Sequence, residues 1–232
     1  MGYPLKTYYS KIYKRYDLVN RLFTFNMDER WRKITARECL MNRPQHVLDL
    51  CCGTGDLTVK LAKLAKGDTE VIGYDFSEPM LDVARRKTEK QHFHVDLVAG
   101  DVAKMPFADR FFDSIGITFG FRNLIYENEN RERHLEEIYR VLKKGGLLVI
   151  AESSKPESAF IRFFYNIYLN FIVSKIGGLI SGNFEAYKYL VSSSANYLTP
   201  DEVTELLYQS GFSKVSHQLY MAGATAIFVA QK

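Results

Sequence analysis

The sequence predicts an α/β fold: a mostly parallel, seven-stranded sheet with helices on both faces and an antiparallel hairpin at its C-terminal end. Three observations carry that expectation. From residue 46 onward, short β-rich runs alternate with stretches of helical periodicity, and such alternation needs the crossover connections of parallel strands. Two late β-rich runs are joined by only a few residues around Gly223, a link short enough for a hairpin alone. A glycine-bearing turn, Cys51-Cys52-Gly53-Thr54-Gly55-Asp56, connects the first strand to the first helix of the alternation.

Taken in order, residues 46–50 read as a buried strand, followed by a helix striped by Leu57, Leu61 and Leu64 that Gly67 can end. Residues 71–75 are the second strand, with Ser77 placed to cap a helix holding Met80, Leu81 and Ala84. Residues 95–98 and 114–119 supply strands three and four. Leu135, Ile138 and Leu142 stripe a helix that stops at Gly145-Gly146, and residues 147–151 form strand five. After a helix with Val203, Leu206 and Leu207, residues 214–220 and 225–230 make the hairpin. The whole chain, 1–232, reads as one domain. Outside its core stand a helical N-terminal cover, 1–45, crowded with Tyr3, Tyr8, Tyr9, Tyr13 and Tyr16, and an insertion, 156–198, with Phe160, Phe163, Phe164, Ile167, Tyr168 and Phe171. In open α/β sheets ligands bind beyond the carboxyl ends of the strands, and both additions are placed to roof that edge.

Composition narrows the function classes. Hydrophobic residues make up 47% and charged residues 25%, a globular balance, and a net charge of +4 gives no case for a nucleic-acid partner. No charged segment followed by an apolar run marks export, so a cytoplasmic chain is expected. Cys39, Cys51 and Cys52 read as small residues in a reducing compartment, because adjacent cysteines make no useful disulfide. Arg162, Asn166, Asn170 and Lys175 interrupt the apolar stretch 159–180, so peripheral contact with a membrane is expected rather than a span. His46, His92, His94, His134 and His217 form no ligand set, and no metal is expected.

The turn after strand one is built for a ligand. Gly53 and Gly55 have no Cβ, so the backbone can approach closely, with Thr54 between them and helix-start amides aimed at a carboxylate. A dinucleotide fingerprint would place a third glycine at Thr58, which weakens a nicotinamide reading. Asp75, 20 positions after Gly55, ends strand two where a carboxylate can accept two ribose hydroxyls, and Phe76 follows it. Asp101 and Val102 follow strand three and suit an adenine amino group and ring. With Asp49 at the end of strand one and Thr118 in strand four, these residues point to S-adenosylmethionine as cofactor, on a Rossmann-like class I methyltransferase fold.

Longer stretches carry a resemblance. Tyr16-Asp17-Leu18-Val19-Asn20, Gly73-Tyr74-Asp75-Phe76-Ser77-Glu78, Met105-Pro106-Phe107, Phe119-Gly120-Phe121-Arg122-Asn123, Tyr139-Arg140-Val141-Leu142-Lys143 and Ser154-Lys155-Pro156 resemble the ubiquinone/menaquinone biosynthesis C-methyltransferases over nearly the whole chain. The resemblance implies methylation of a ring carbon of a prenylated quinol such as demethylmenaquinol. It also implies catalytic roles for Arg122, Asn123 and Tyr16, with Asp17 as a backup base, and an isoprenoid tail against the aromatic insertion. Arg122 would stabilise a phenolate or hold a water, since a guanidinium stays protonated. The partners it implies are a lipophilic acceptor, a membrane touched from its inner face and, as a homodimer, a second copy of the chain. Departures from the family pattern fall in the lid and tail: Asp28 where a histidine is usual, Ser192 for a glutamate, Ala195 for an arginine, a single Gly223 for paired glycines and Phe228 for a histidine. Two alternatives stay open: a methyltransferase for another hydrophobic small molecule, and a non-catalytic S-adenosylmethionine-binding scaffold.

Overall fold

Val47 and Leu48 point to opposite faces of the first strand, and both are fully buried. That alternation divides the interior into two cores. The computed structural model describes residues 12, 13 and 15–232; Tyr3, Tyr8 and Tyr9 of the expected cover lie outside the described residues. The elements, in chain order, are α1 (Tyr16–Phe23), α2 (Met27–Cys39), β1 (His46–Leu50), α3 (Asp56–Leu64), β2 (Glu70–Asp75), α4 (Glu78–Lys90) and β3 (Asp96–Ala99). They continue with β4 (Phe112–Thr118), α5 (Phe121–Ile125), α6 (Arg131–Val141) and β5 (Leu142–Ser153). The lid follows as α7 (Ala159–Ser181) and α8 (Phe184–Ala195), then α9 (Pro200–Gln209), β6 (Lys214–Tyr220) and β7 (Thr225–Gln231). One core holds Leu48, Leu50, Phe112 and Ile115 under Leu135, Ile138 and Val203. The other packs Val47, Val71 and Val149 under Trp31, Ala36, Leu57 and Leu61.

The sheet runs β3-β2-β1-β4-β5-β7-β6, with β1 to β5 parallel and β7 antiparallel to both neighbours. Strand order reverses between β1 and β4, so the loops leaving these two strands part and open a crevice. The expected elements are present with three shifts. Strand three starts at Asp96 and strand four runs 112–118. Helix α6 ends at Val141 rather than at Gly145-Gly146, because Leu142 already pairs with Phe112. The ladder then shifts register between Phe112 and Ser114, and Gly145 takes a φ of 78°. Ser77 stands at the start of α4 with no side-chain cap; its backbone amide donates to Asp75 Oδ1 at 2.9 Å instead.

The lid departs further from expectation. Helix α7 is continuous over 23 residues, widening to a π-helix between Tyr168 and Val173. By length and composition alone it is long and apolar enough to cross a membrane, so the four polar interruptions do not exclude a span as expected. Its C-terminal part presses Gly177 on the Tyr187 ring and Gly178 on the Phe184 ring, where an added Cβ would stand 2.3 Å from ring carbons.

Candidate active site

Two adjoining clefts open at the carboxyl ends of the strands. The first, of about 550 Å³, is walled by Cys51–Thr54 after β1, Asp75 and Phe76 after β2, and Thr118–Gly120 after β4. Gly55 takes φ 79° at the start of α3, and a Cβ there would lie 2.7 Å from the Ala84 Cβ, so only glycine lets α3 and α4 meet. No side chain caps α3, which leaves its first amides facing the cleft end of the turn. Asp75 is nearly buried, and its Oδ2 accepts the Gly53 amide at 2.9 Å. Burial pushes its carboxyl up to about 6, against the amide bonds that lower it. A carboxylate has about four acceptor sites, so both oxygens retain capacity for hydroxyl donors. This set fits a nucleoside bearing an amino-acid carboxylate.

The second cleft, of about 1000 Å³, lies under the lid. Tyr165, Tyr168, Leu169 and Val173 of α7, with Tyr187, Leu190 and Val191 of α8, give it an apolar roof; Asp28, Arg32, Arg122 and Ser153 are at its polar end. Tyr16, Arg32 and Phe119 line both clefts, which marks the junction where a donor and an acceptor would meet. The turn after β4 is wedged there. Phe119 has φ 59°, Cys51 has φ 57°, and a Cβ on Gly120 would come 2.5 Å from Cys51 Cβ. The segment carrying Arg122 is therefore packed on the donor turn with no room for a side chain at Gly120.

Arg122 is buried and tied to the end of β5. Its amide donates to Glu152 Oε2 at 3.0 Å, and its guanidinium donates to Glu152 Oε1 at 3.2 Å and to Ser153 Oγ at 2.6 Å. A second buried pair, Arg32 with Asp28, flanks the same cleft, and Thr24 Oγ1 donates to Asp28 at 2.8 Å. Arg32 also lies over the Phe119 ring, 5.4 Å from its centroid. Burial pushes the phenols of Tyr16 and Tyr165 up, that of Tyr165 to about 12, so neither serves as a base near neutrality.

The structure brings most of the expected residues together and moves several. Gly53, Thr54, Asp75, Phe76 and Thr118 wall the first cleft. Asp49 does not: it is fully buried inside β1 and accepts the Thr58 hydroxyl, so it anchors α3 instead. Burial pushes its carboxyl up to about 7. Gly55 shapes the turn from behind. Asp101 and Val102 lie past β3 and outside the cleft wall, with Asp101 Oδ1 accepting the Ala103 amide at 3.0 Å. Asn123 lines the donor cleft rather than the acceptor cleft. Asp17 lines neither; it accepts Thr54 Oγ1 at 2.6 Å and pairs with Lys87 at 2.6 Å, which ties it to the donor turn rather than to the acceptor cleft. Of the lid aromatics singled out in the sequence, Tyr168 alone among the described residues lines the acceptor cleft. Phe160, Phe163, Phe164, Ile167 and Phe171 face outward, because the helical period turns 165, 169 and 173 inward. Arg32, Glu152 and Ser153 were missed. For Glu152 a signal existed, since it stands one residue before the end of β5, much as Asp75 ends β2.

Among the described residues, Asp28, Glu29 and Asp56 hold carboxylate oxygens within 4.8 Å of one another. Each already pairs with a cation: Arg32, Lys60 and Lys87. Cys39, Cys51 and Cys52 are free thiols.

Comparison with known proteins agrees with this geometry. Residues 3–232 match the model of the ubiE/COQ5 methyltransferase family. A demethylmenaquinone methyltransferase of Thermus thermophilus is 41% identical, over 97% of this chain and 99% of its own. One of Thermotoga maritima is 40% identical, over 95% of this chain and 93% of its own. An S-adenosylmethionine-dependent methyltransferase from Aquifex aeolicus superposes with a TM-score of 0.57 at 21% identity, covering 84% of this chain and 88% of that one, which shows the shared fold. With its class I fold, donor cleft and near full-length match, the chain belongs to the ubiE/COQ5 methyltransferase family and is an S-adenosylmethionine-dependent methyltransferase.

Proposed function

We propose that this enzyme methylates a ring carbon of a prenylated quinol of the demethylmenaquinol kind, working at the cytoplasmic face of a membrane. The observation that carries the reading is the pair of clefts joined at Tyr16, Arg32 and Phe119, the second having an apolar roof and a buried guanidinium at its ring end. The relatives in Thermus and Thermotoga bear the name of that activity. S-adenosylmethionine supplies an electrophilic methyl on a sulfonium. The Gly53 turn and Asp75 would hold the donor, and Phe119 would stand where donor and acceptor meet. Arg122 would stabilise the negative charge that develops on a quinol oxygen as the neighbouring carbon becomes nucleophilic. The roof residues would take the first isoprene units, each buried CH₂ contributing about 0.8 kcal/mol.

Exposed Phe160 (73%), Phe163 (61%) and Leu179 (74%) on the outer side of α7 support the membrane part of the proposal. The same helix lines the acceptor cleft with its inner side, so a helix lying in the lipid interface would carry the cleft mouth to where prenylated quinols reside. The test is methyl transfer from labelled S-adenosylmethionine to a reduced demethylnaphthoquinol with a short prenyl tail. Label on the ring carbon is the expected result. No label, with donor binding confirmed by calorimetry, would move the acceptor to another lipophilic class. Vesicle co-sedimentation tests the second part: wild type should pellet, and Phe160→Ser/Phe163→Ser should not.

A further inference from the structure

Activation of the acceptor needs a base, and the residues first expected to serve do not fit the role. A guanidinium does not accept a proton, the lining tyrosines hold theirs, and Asp17 is engaged with Thr54 and Lys87 outside the cleft. Resting on the quinol reading above, we propose that Glu152 is the proton acceptor for the quinol hydroxyl, reached through the Ser153 hydroxyl, with Arg122 passing from Glu152 to the quinol oxygen as the proton moves.

The geometry is a wire with one open end. Glu152 is fully buried and does not line the cleft, whereas Ser153 does. Ser153 Oγ donates to Glu152 Oε1 at 2.9 Å and accepts from Arg122 Nη1 at 2.6 Å. Glu152 is held in place by the amides of Arg122 at 3.0 Å and Ser153 at 2.9 Å, so the carboxylate is positioned before any acceptor arrives. The acceptor's O–H bond breaks as its proton joins Ser153 Oγ, and the proton that Ser153 held passes to Glu152 Oε1. The electron pair left on the quinol oxygen moves into the ring, whose neighbouring carbon forms the bond to the methyl while the methyl–sulfur pair stays on sulfur. The methylated carbon then loses its hydrogen to water as a proton. Glu152 returns its proton through Ser153 to the oxygen, which leaves the carboxylate as it began.

Charge balance favours this route for a buried pair. Before transfer Arg122 neutralises Glu152; after it, Arg122 neutralises the quinol oxygen and Glu152 is a neutral acid. No unpaired charge is buried at either stage. The rival is Asp28, among the described residues the one carboxylate that lines the acceptor cleft itself. Its Oδ2 pairs with Arg32 and its Oδ1 accepts from Thr24 Oγ1, so a hydroxyl relay to it would run through Thr24. Thr24 Oγ1 also has the Asn20 carbonyl in donating range at 2.8 Å, so its single proton is shared between two acceptors. Ser153 has Glu152 as its acceptor.

The experiment compares Glu152→Gln, Ser153→Ala and Ser153→Thr, each checked for donor affinity by calorimetry. Gln keeps an oxygen for the Arg122 bonds but takes no proton. Ring methylation should lose a factor of about 10² or more in kcat for Glu152→Gln and Ser153→Ala, with KM and donor Kd within about threefold of wild type. Ser153→Thr, which keeps the hydroxyl, should restore turnover. A second readout needs no donor: a short-prenyl nitrophenol bound below its own pKa. Wild type should turn it to the coloured phenolate without releasing a proton to the buffer; Glu152→Gln should leave it colourless. Full activity in Ser153→Ala with Glu152→Gln inactive would overturn the relay and leave Glu152 as a brace for Arg122. Equal colour and proton count in wild type and Glu152→Gln would also overturn it. So would loss of colour in Asp28→Asn with colour kept in Glu152→Gln. Failure of the wild type itself to methylate any quinol would instead bring down the reading on which the relay rests, and needs no variant to detect.

Discussion

The donor and acceptor clefts share three residues and are built by opposite means. The donor cleft is made from turns that leave β1, β2 and β4, so its shape follows from backbone conformation at Gly53, Gly55 and Gly120 and from amides fixed by the sheet. The acceptor cleft is made mostly from side chains on α1, α2, α7 and α8, elements that approach one another only in the folded chain. Backbone-defined sites tolerate little change and recognise one ligand shape. Side-chain-defined sites can be re-lined without altering the sheet. The departure at Asp28 lies in the acceptor cleft, as that difference would lead one to expect, whereas Ser192 and Ala195 stand on α8 without lining it.

The largest expected effect that tests this division is Arg122→Ala. Loss of the charge at the developing oxyanion should lower kcat/KM by about 10³-fold, while the donor Kd measured calorimetrically stays within about threefold. An equal loss of donor affinity would dissolve the distinction between the clefts. Gly55→Ala strikes the donor side instead. Positive φ strain and the 2.7 Å approach to Ala84 should together cost about 2–4 kcal/mol in thermal or chemical unfolding, and weaken donor binding in parallel. Asp75→Asn should raise the donor Kd about 10- to 100-fold with little change in KM for the acceptor, since it removes a charged hydrogen-bond acceptor from one cleft only.

Acidity gives an effect with a definite sign. The Asp49 carboxyl sits at about 7 in the fold against about 4 in an unfolded chain, so the folded state holds the proton more tightly. Its stabilising contribution is complete below about pH 4 and is lost as pH rises through about 7. Asp75 behaves likewise up to about 6. Asp49→Asn, which still accepts the Thr58 bond, should therefore flatten the stability profile across that window by up to about 4 kcal/mol relative to wild type, read from melts at successive pH values. Smallest of all, Phe163→Ser on the outer side of the lid should change stability by under about 0.5 kcal/mol. On the inner side Tyr168→Ala should raise the acceptor KM several-fold. Equal effects from the two would mean that the lid has no inner and outer side.

How much was legible from sequence follows the same division. The Gly53–Gly55 turn and Asp75 could be read because each lies within a few residues of the strand that positions it. Asp49 was misplaced by the same rule, which marks a strand end without saying whether the side chain points to the cleft or into the core. Glu152 sits one residue before the end of β5, where that rule applied equally well. The apolar periodicity of α7 announced an amphipathic helix, but periodicity does not say which stripe faces protein, and the phenylalanine stripe lies outward. Arg32 was hidden because its role depends on α2 lying across β4 and β5, a long-range arrangement with no local signature.

The π-helix between Tyr168 and Val173 accommodates more chain per turn than an α-helix. Removing a single residue there could be absorbed by reversion to α-helix with everything beyond kept nearly in place, whereas removing one from the α-helical turns beside it would rotate everything beyond by about 100°. In the second case Gly177 and Gly178 would swing away from Tyr187 and Phe184, and a different set of side chains would face the cleft. The roof is thus indexed by residue count as well as by residue identity, so a lineage can explore new acceptor shapes by gaining or losing one codon in the lid while the donor turns stay untouched.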